Sequence, residues 1–198
     1  MTTDRLAPPA FDPADAAAAA ARFAAAAPAD VSYALVDSPV GALVAAATPR
    51  GLATLSYEDF HGGVDAVLDS LATKLSPRML EAPARLDPVR RELDEYFAGA
   101  RTAFDLPLDW ALAGDFARRV LQATAAIPFG QIRTYGEVAA RAGNPKAARA
   151  AGRALGSNPI PIVVPCHRVV GTNGQLTGYT GGLHRKIALL QIEGIVLG

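Results

Sequence analysis

Cys166 is the only cysteine among 198 residues, and His167 directly follows it. A lone thiol has no internal disulfide partner, and with an ordinary pKa of ~8.5 it is mostly protonated at neutral pH. A neighbouring histidine is the usual base that activates such a nucleophile. Pro161 and Pro165 fix two backbone φ angles on the approach to the thiol. This pattern favours a reactive cysteine; the alternative is a cysteine packed in the core after an apolar run.

Three separated motifs match one known family in order and spacing. The first is NPIPIVVPCHRVV at residues 158–170, and the second is NPKAARA at residues 144–150. The third is GYTGG at residues 178–182, followed by Glu193 and Gly194. Together they closely resemble the O6-alkylguanine-DNA alkyltransferases. The resemblance is close from about residue 113 to 195 and holds only in outline elsewhere.

The resemblance implies a role for four residues in the chemistry. Cys166 matches the alkyl acceptor, and His167 matches the base that takes the thiol proton through a water. Glu193 matches the buried acid that orients His167, the nucleophile–base–orienter order of hydrolase triads. Tyr135 matches the tyrosine that crowds the flipped nucleotide and donates its hydroxyl to guanine N3. Taken alone, Glu193 is a solvated helix end and Tyr135 a half-buried tyrosine at the edge of the core.

The resemblance also implies a substrate pocket around the thiol. Asn158 corresponds to a side chain that hydrogen-bonds the turn before the thiol, which is compatible with a plain helix-ending asparagine. Tyr179 and Thr180 correspond to the pocket wall, with the Thr180 amide facing O6, and Val169 is assigned to the same pocket. Glycines at 178, 181 and 182 let the backbone come close to a ligand. Arg168 is expected to brace the motif through an ion pair whose partner the sequence does not identify.

A helix-turn-helix pattern occupies residues 134–155, with a tight turn at 142–145 between its two helices. The second helix, 146–155, is rich in alanine and therefore slim, with basic side chains beside the slim face. By resemblance it enters the minor groove, and Arg149 fills the gap that a flipped nucleotide leaves. An ordinary αα-hairpin is the alternative for the helix pair, and a phosphate contact or simple solvation is the alternative for Arg149. The residues assigned to DNA are Arg141, Lys146, Arg149, Ala150, Gly152 and Arg153.

The implied function is direct-reversal DNA repair. One irreversible transfer moves the alkyl group from O6-alkylguanine to Cys166 after base flipping, with O4-alkylthymine as an open second lesion. No cofactor and no metal are expected, and the partner is double-stranded DNA that carries the lesion. Two alternatives remain: a non-catalytic lesion-binding or regulatory DNA-binding protein of the same fold, and a Cys-His hydrolase. A monomer is expected in solution, and cooperative assembly on DNA is left open.

Composition supports a DNA-facing half. Residues 1–110 hold 9 Lys/Arg against 16 Asp/Glu, whereas residues 111–198 hold 10 against 3. A basic half beside an acidic half indicates a polyanion-binding surface, and accidental clustering is the alternative. The three histidines lie far apart and no second cysteine exists, so no zinc site is expected. With no signal peptide or membrane span visible, the chain is expected in the cytoplasm.

The elements that must position these residues predict an α/β chain in two parts. A small N-terminal domain of a sheet plus helices spans 31–105, and a mainly helical C-terminal domain that contains the helix-turn-helix spans 111–198. Residues 1–30 form a tail, either disordered or helical, and 104–110 read as an extended linker. The expected strands are 31–37, 40–48 and 52–57. The expected helices are 12–27, 64–75, 87–98, 116–127, 134–141, 146–155 and 183–192.

Overall fold

The computed structural model describes residues 12–26, 29–60 and 62–196. Residues 1–11 and 27–28 of the expected tail at 1–30 lie outside the described residues, as does His61. Helix α1 spans Pro13–Ala26, where the Asp12 carboxylate accepts a hydrogen bond from the amide of Ala14 at 2.8 Å. No helix within the described ranges is both long and apolar enough to cross a membrane.

The N-terminal half is a four-stranded sheet with helices against it. The elements are β1 Val31–Val36, β2 Leu43–Thr48, β3 Gly51–Tyr57, α2 Gly63–Lys74, β4 Met79–Glu81 and α3 Asp87–Phe97. The strands lie in the order β3-β2-β1-β4, and the pairs β1–β2 and β2–β3 are antiparallel, whereas β1 and β4 are parallel. Val67 and Leu71 on helix α2 pack against buried residues of β1 and β2, which explains the helical apolar spacing at 64–75.

Two strand predictions for this half need correction. Strand β2 begins at Leu43 and not at Val40, because Ser38–Gly41 form a tight turn in which the Gly41 amide donates to the Ser38 carbonyl at 3.1 Å. Gly41 has a φ of 107°, a left-handed conformation that ends any strand there. Strand β4 was not predicted, because three residues are too short to show a periodic pattern and its place depends on parallel pairing with β1.

The C-terminal half is mainly helical and carries the predicted helix-turn-helix. The elements are α4 Asp115–Ala125, β5 Arg133–Thr134, α5 Tyr135–Arg141, α6 Ala148–Gly156, β6 Val169–Val170 and α7 Leu183–Ile192. Helices α4, α5 and α6 pack against one another, and α5 begins with a capping box between Thr134 and Glu137. Helix α6 begins at Ala148 and not at Lys146, because the Ala147 amide still closes a turn onto the Asn144 carbonyl at 3.0 Å.

The two parts share one apolar core, which contains buried residues from β1–β3, α3, α4, α5, α6 and the loop before Cys166. The segment expected as a linker is also paired with the sheet. Leu52 in β3 donates its amide to the Pro107 carbonyl and accepts from the Asp109 amide, both at 2.8 Å. Thr54 and Leu55 donate to the Pro159 carbonyl, two residues from Pro161. The two-part α/β architecture was predicted correctly, and its parts are fastened together close to the lone cysteine.

Candidate active site

Cys166 begins a short 3₁₀ turn, Cys166–Arg168, that follows a tightly folded loop. The Val164 amide donates to the Ile160 carbonyl at 2.8 Å, and Ile162 between them has a φ of 73°. A β-branched residue in this left-handed region costs on the order of 1–3 kcal/mol and persists only where its surroundings impose it. The strained residue therefore lies in the loop that positions Cys166.

The thiol of Cys166 is buried, with 5% of the residue exposed. Asn158 donates its side-chain amide to Cys166 Sγ at 3.1 Å and to the Val164 carbonyl at 2.9 Å. Its Oδ1 accepts from the Ile160 amide at 3.0 Å, which fixes the orientation of the side chain. Burial raises the pKa of the Cys166 thiol to about 11. The resting thiol is therefore protonated, and a base must remove its proton when it reacts.

His167, the next residue in the chain, forms a fully buried pair with Glu193. His167 Nε2 lies 2.8 Å from Glu193 Oε1. Arg168 donates from Nε to Glu193 Oε2 at 2.9 Å and from its terminal nitrogen to Oε1 at 2.8 Å. Glu193 is thus the ion-pair partner of Arg168 that the sequence could not identify. Burial alone would raise the pKa of Glu193, but hydrogen bonds from His167 and Arg168 outweigh burial and bring it to about 2.

The ionised Glu193 carboxylate fixes the tautomer of His167. Burial lowers the pKa of His167 below its ordinary value although Glu193 opposes this change, so the ring is neutral near pH 7. Because a carboxylate only accepts, the ring proton lies on Nε2 and points at Glu193. Nδ1 is then a free acceptor, and it is buried with no hydrogen-bond partner among the described residues. The arrangement has an orienting acid and a neutral base next to the thiol in sequence.

A cavity of about 560 Å³ opens above Cys166. Helix α6 forms one wall, and the loop at 177–180 forms the opposite wall. Tyr135 completes the enclosure, with its hydroxyl hydrogen-bonded to that of Thr177 at 2.7 Å. The Thr180 hydroxyl donates to the Gly156 carbonyl at 3.0 Å and so ties the loop to the end of α6. The cavity is lined by Tyr135, Ala148, Arg149, Gly152, Leu155, Gly156, Cys166, Thr177, Gly178, Tyr179 and Thr180.

The expected pocket residues fall into two groups. Tyr179 and Thr180 line the cavity. Asn158 lies beneath the thiol and holds it rather than lining the cavity. Val169 does not line it either, because its side chain is fully buried in β6. The Val169 carbonyl accepts a hydrogen bond from the ammonium group of Lys186 at 2.6 Å.

The N-terminal half holds the cavity loop in place. The hydroxyls of Tyr57 and Tyr179 are hydrogen-bonded at 3.0 Å. The Tyr57 ring also lies against Gly181 so closely that a Cβ on Gly181 would stand 2.3 Å from a ring carbon. Arg185 stacks over the Tyr57 ring at 4.3 Å and donates to Asp59 at 2.8 Å. Sequence patterns gave no sign of these contacts, because they join residues more than a hundred positions apart.

The residues assigned to DNA all belong to the helix-turn-helix. The side chains of Arg141, Lys146, Arg149 and Arg153 are exposed, and none forms an ion pair with a carboxylate of the described chain. Arg149 alone of the four lines the cavity. Gly152 faces the Tyr135 ring, and an added Cβ there would stand 3.7 Å from the ring, an ordinary van der Waals distance. Ala150 is half-buried on the same helix.

Two further residues belong to the site and were not assigned from the sequence. Tyr96 on α3 donates its hydroxyl to Glu193 Oε1 at 2.8 Å. Lys186 on α7 is fully buried and holds the Val169 carbonyl, and burial lowers its pKa to about 8. The only sequence signal for Tyr96 was its place on the apolar face of a helix, which does not indicate a polar partner.

Fold and site together define a class: a DNA-binding protein with a helix-turn-helix and an activatable buried thiol. Residues 31–110 match the family described as 6-O-methylguanine DNA methyltransferase, ribonuclease-like domain. Residues 115–195 match the family described as 6-O-methylguanine DNA methyltransferase, DNA binding domain. The chain belongs to the 6-O-methylguanine DNA methyltransferase family.

Relatives that carry the same methyltransferase name align with most of the chain. The methylated-DNA–protein-cysteine methyltransferase of Mycobacterium tuberculosis is 43% identical over 167 residues, which are 82% of this chain and 92% of that protein. The protein of the same name from Methanosarcina acetivorans is 42% identical over 163 residues, 82% of this chain and 97% of its own. The crystal structure of Mycobacterium tuberculosis OGT in complex with DNA superposes with a TM-score of 0.70 at 40% identity, covering 82% of this chain and 92% of that one.

Proposed function

We propose that this chain repairs DNA by transferring an alkyl group from O6 of guanine to Sγ of Cys166. The observation that carries the proposal is the position of the thiol. It lies at the foot of a cavity walled by the second helix of a helix-turn-helix, and a neutral, oriented histidine follows it in the chain. Membership of a methyltransferase family supports the same reaction.

The chemistry needs side chains of this chain and one water. His167 accepts the thiol proton at Nδ1, through a water as the resemblance implies, and Glu193 stabilises the imidazolium that forms. The thiolate attacks the alkyl carbon, so an S–C bond forms as the bond from carbon to O6 breaks. The purine leaves with the bonding electrons and takes up one proton, which balances the thiol proton that His167 accepts and later releases to water. Tyr135 donates to N3 of the purine as negative charge develops there, which lowers the barrier.

Access to the lesion requires base flipping, because the O6 substituent lies inside a duplex. Helix α6 is narrow at Ala150 and Gly152 and so fits against the minor groove, and Arg149 occupies the space that the extruded nucleotide leaves. Arg141, Lys146 and Arg153 then contact phosphates on either side. The partner is double-stranded DNA that contains O6-alkylguanine.

The reaction ends after one turnover. A thioether has no easy leaving group, so the alkylated protein is spent and no cofactor takes part. The chain acts as a monomer in this scheme, because Cys166, His167 and Glu193 all belong to the same chain. We place it in the cytoplasm, where a single cysteine stays reduced.

Intact-mass measurement tests the proposal directly. After incubation with duplex DNA that carries O6-methylguanine, the protein should gain one methyl group, and peptide mapping should locate it on Cys166. The Cys166→Ser variant should bind the same DNA and gain no mass. An unchanged mass for the parent protein with the lesion bound would favour the non-catalytic lesion-binding alternative, which the family membership does not favour. Repeated turnover of an acyl substrate would favour the hydrolase alternative.

A further inference from the structure

The carboxylate that orients His167 is held from both halves of the molecule. Tyr96 lies on α3 in the N-terminal half, 97 residues before Glu193, and donates its hydroxyl to Glu193 Oε1 at 2.8 Å. His167 Nε2 is bonded to the same oxygen, also at 2.8 Å. Tyr96 and Glu193 are both buried, so water does not compete for this bond.

The position of the Tyr96 hydroxyl is fixed by its ring. The ring is fully buried and packs against Phe97 and Phe104 at centroid distances of 5.3 Å, and against Phe129 at 6.1 Å. A phenylalanine would fill the same apolar space, so packing alone gives no reason for a hydroxyl here. Burial and the negative charge of Glu193 raise the pKa of Tyr96 well above its ordinary value. The hydroxyl therefore keeps its proton and acts only as a donor to the carboxylate.

The charges around this pair are few and can be named. Arg168 faces Glu193 and His167 from the 3₁₀ turn, and Lys186 acts on His167 from α7. The Gly130 amide donates to Glu193 Oε2 at 3.3 Å. The Cys166 thiol is neutral at rest. Among these groups, Tyr96 is the uncharged side-chain donor that shares Oε1 with His167.

A donor on Oε1 has a definite effect on the histidine. It withdraws charge from the oxygen that His167 Nε2 faces, so the carboxylate attracts a second proton on the ring less strongly. It also fixes the carboxylate plane, and with it the orientation of the imidazole. Both effects keep the ring neutral and Nδ1 available as an acceptor.

We propose that Tyr96 is a positioning residue for alkyl transfer, by which the N-terminal half sets the pH range over which His167 serves as the base. The inference rests on the proposed function insofar as it takes His167 to be the base for Cys166. It assigns to the N-terminal half a direct part in the proton relay, in addition to its part in holding the cavity loop.

Single-turnover transfer from duplex DNA, followed from acid to neutral pH, tests the proposal with Tyr96→Phe. Because His167 acts only when neutral, the rate falls below its pKa. Loss of the hydroxyl makes Glu193 more basic and stabilises the imidazolium, so the acid limb should move to higher pH by about 0.5–1 unit. Below the limb the variant should be about three- to tenfold slower, and on the neutral plateau its rate should stay within about threefold of the parent.

Tyr33→Phe is the matched control, because Tyr33 is a half-buried tyrosine on β1 in a separate apolar cluster. This variant should keep the acid limb of the parent. An unmoved limb in Tyr96→Phe, with the parent protein reacting normally, refutes the role of Tyr96. A parent protein that transfers no alkyl group refutes the proposed function instead.

Nitrogen NMR of the histidines gives a readout that does not depend on repair. The chain has three histidines, so the His167 ring can be assigned with a His167→Gln sample. The parent should show a neutral ring protonated on Nε2 near pH 7, and Tyr96→Phe should show a higher pKa for this ring. Uniform 3-fluorotyrosine labelling retains the tyrosine rings and makes their hydroxyls stronger hydrogen-bond donors. A stronger donor from Tyr96 to Glu193 should lower the pKa of His167. If neither sample moves it, the proposal is wrong even where Tyr96→Phe is too unstable for kinetics.

Discussion

Arg149→Ala should separate repair of duplex DNA from reaction with a free alkylguanine base. Arg149 is exposed and forms no ion pair with a described carboxylate, so its loss should change the free energy of unfolding by less than about 0.5 kcal/mol. It does line the cavity above Cys166. If it fills the gap left by a flipped nucleotide, its removal affects only a substrate that has to be flipped.

The expected size follows from the energy of flipping. Extruding a base costs a few kcal/mol, and a planar group that stacks in the gap recovers about 1–3 kcal/mol of this. At about 1.4 kcal/mol for each factor of ten, loss of the guanidinium should slow duplex repair by about five- to 150-fold. The free base has no stack to leave, so its rate should fall by no more than about threefold.

The assay is single-turnover transfer to Cys166 from both substrates, at protein concentrations that saturate the DNA. Arg153→Ala is the matched control, because Arg153 lies one turn further along α6, is also exposed and does not line the cavity. This control should weaken binding modestly and leave the saturated rate unchanged. Equal losses on free base and duplex for Arg149→Ala would show that the arginine supports the cavity, and the gap-filling role would then be wrong.

Four further predictions follow from the site. Cys166→Ser should abolish transfer and leave DNA affinity within about threefold in a binding titration, because a buried thiol contacts no phosphate; detectable transfer by the variant would place the acceptor elsewhere. DNA affinity should fall with salt at a log–log slope of about −3 to −4, as expected for four exposed cations that release counterions, and a flat dependence would exclude this surface. Acid unfolding should show the contribution of Glu193, whose folded pKa is lowered to about 2. The stability it confers is present above its unfolded pKa of 4.5 and is lost as the pH falls towards 2, so removing the carboxylate should flatten the unfolding free energy in that window. Gly181→Ala should slow transfer and lower the thermal midpoint, because its Cβ would stand 2.3 Å from the Tyr57 ring; a variant with the parent's rate would show that the loop relaxes freely.

The chemistry was predictable from sequence to the extent that it is local. Cys166, His167 and Arg168 are consecutive, and a thiol next to a histidine carries its meaning in the sequence itself. The association of Glu193 with this group came only from family resemblance, since its position at a helix end is typical of a solvated acid. The helix-turn-helix was also predictable, because the capping residues and the tight turn are local signals.

The contacts that the sequence did not reveal are those made across the two halves. Tyr96 reads as one more apolar residue on a helix face, and nothing near it in sequence indicates a buried carboxylate 97 residues away. The segment before Trp110 reads as a linker because it is extended and contains proline. Its pairing with Leu52 depends on where β3 lies in the folded sheet. The burial of the Val169 side chain was hidden for a related reason, since a two-residue strand leaves no pattern that shows which way its side chains point.

The burial of Cys166 also affects the chemical stability of its thiol before any reaction with DNA. Oxidation by peroxide and attack on small electrophiles both proceed through the thiolate. With a pKa of about 11, only about one molecule in ten thousand carries a thiolate at pH 7. A chain with one cysteine has no second thiol to form a protective disulfide. We therefore expect the buried, protonated thiol to react slowly with the oxidants and electrophiles that also damage DNA. The thiol then stays available in a protein that transfers only one alkyl group.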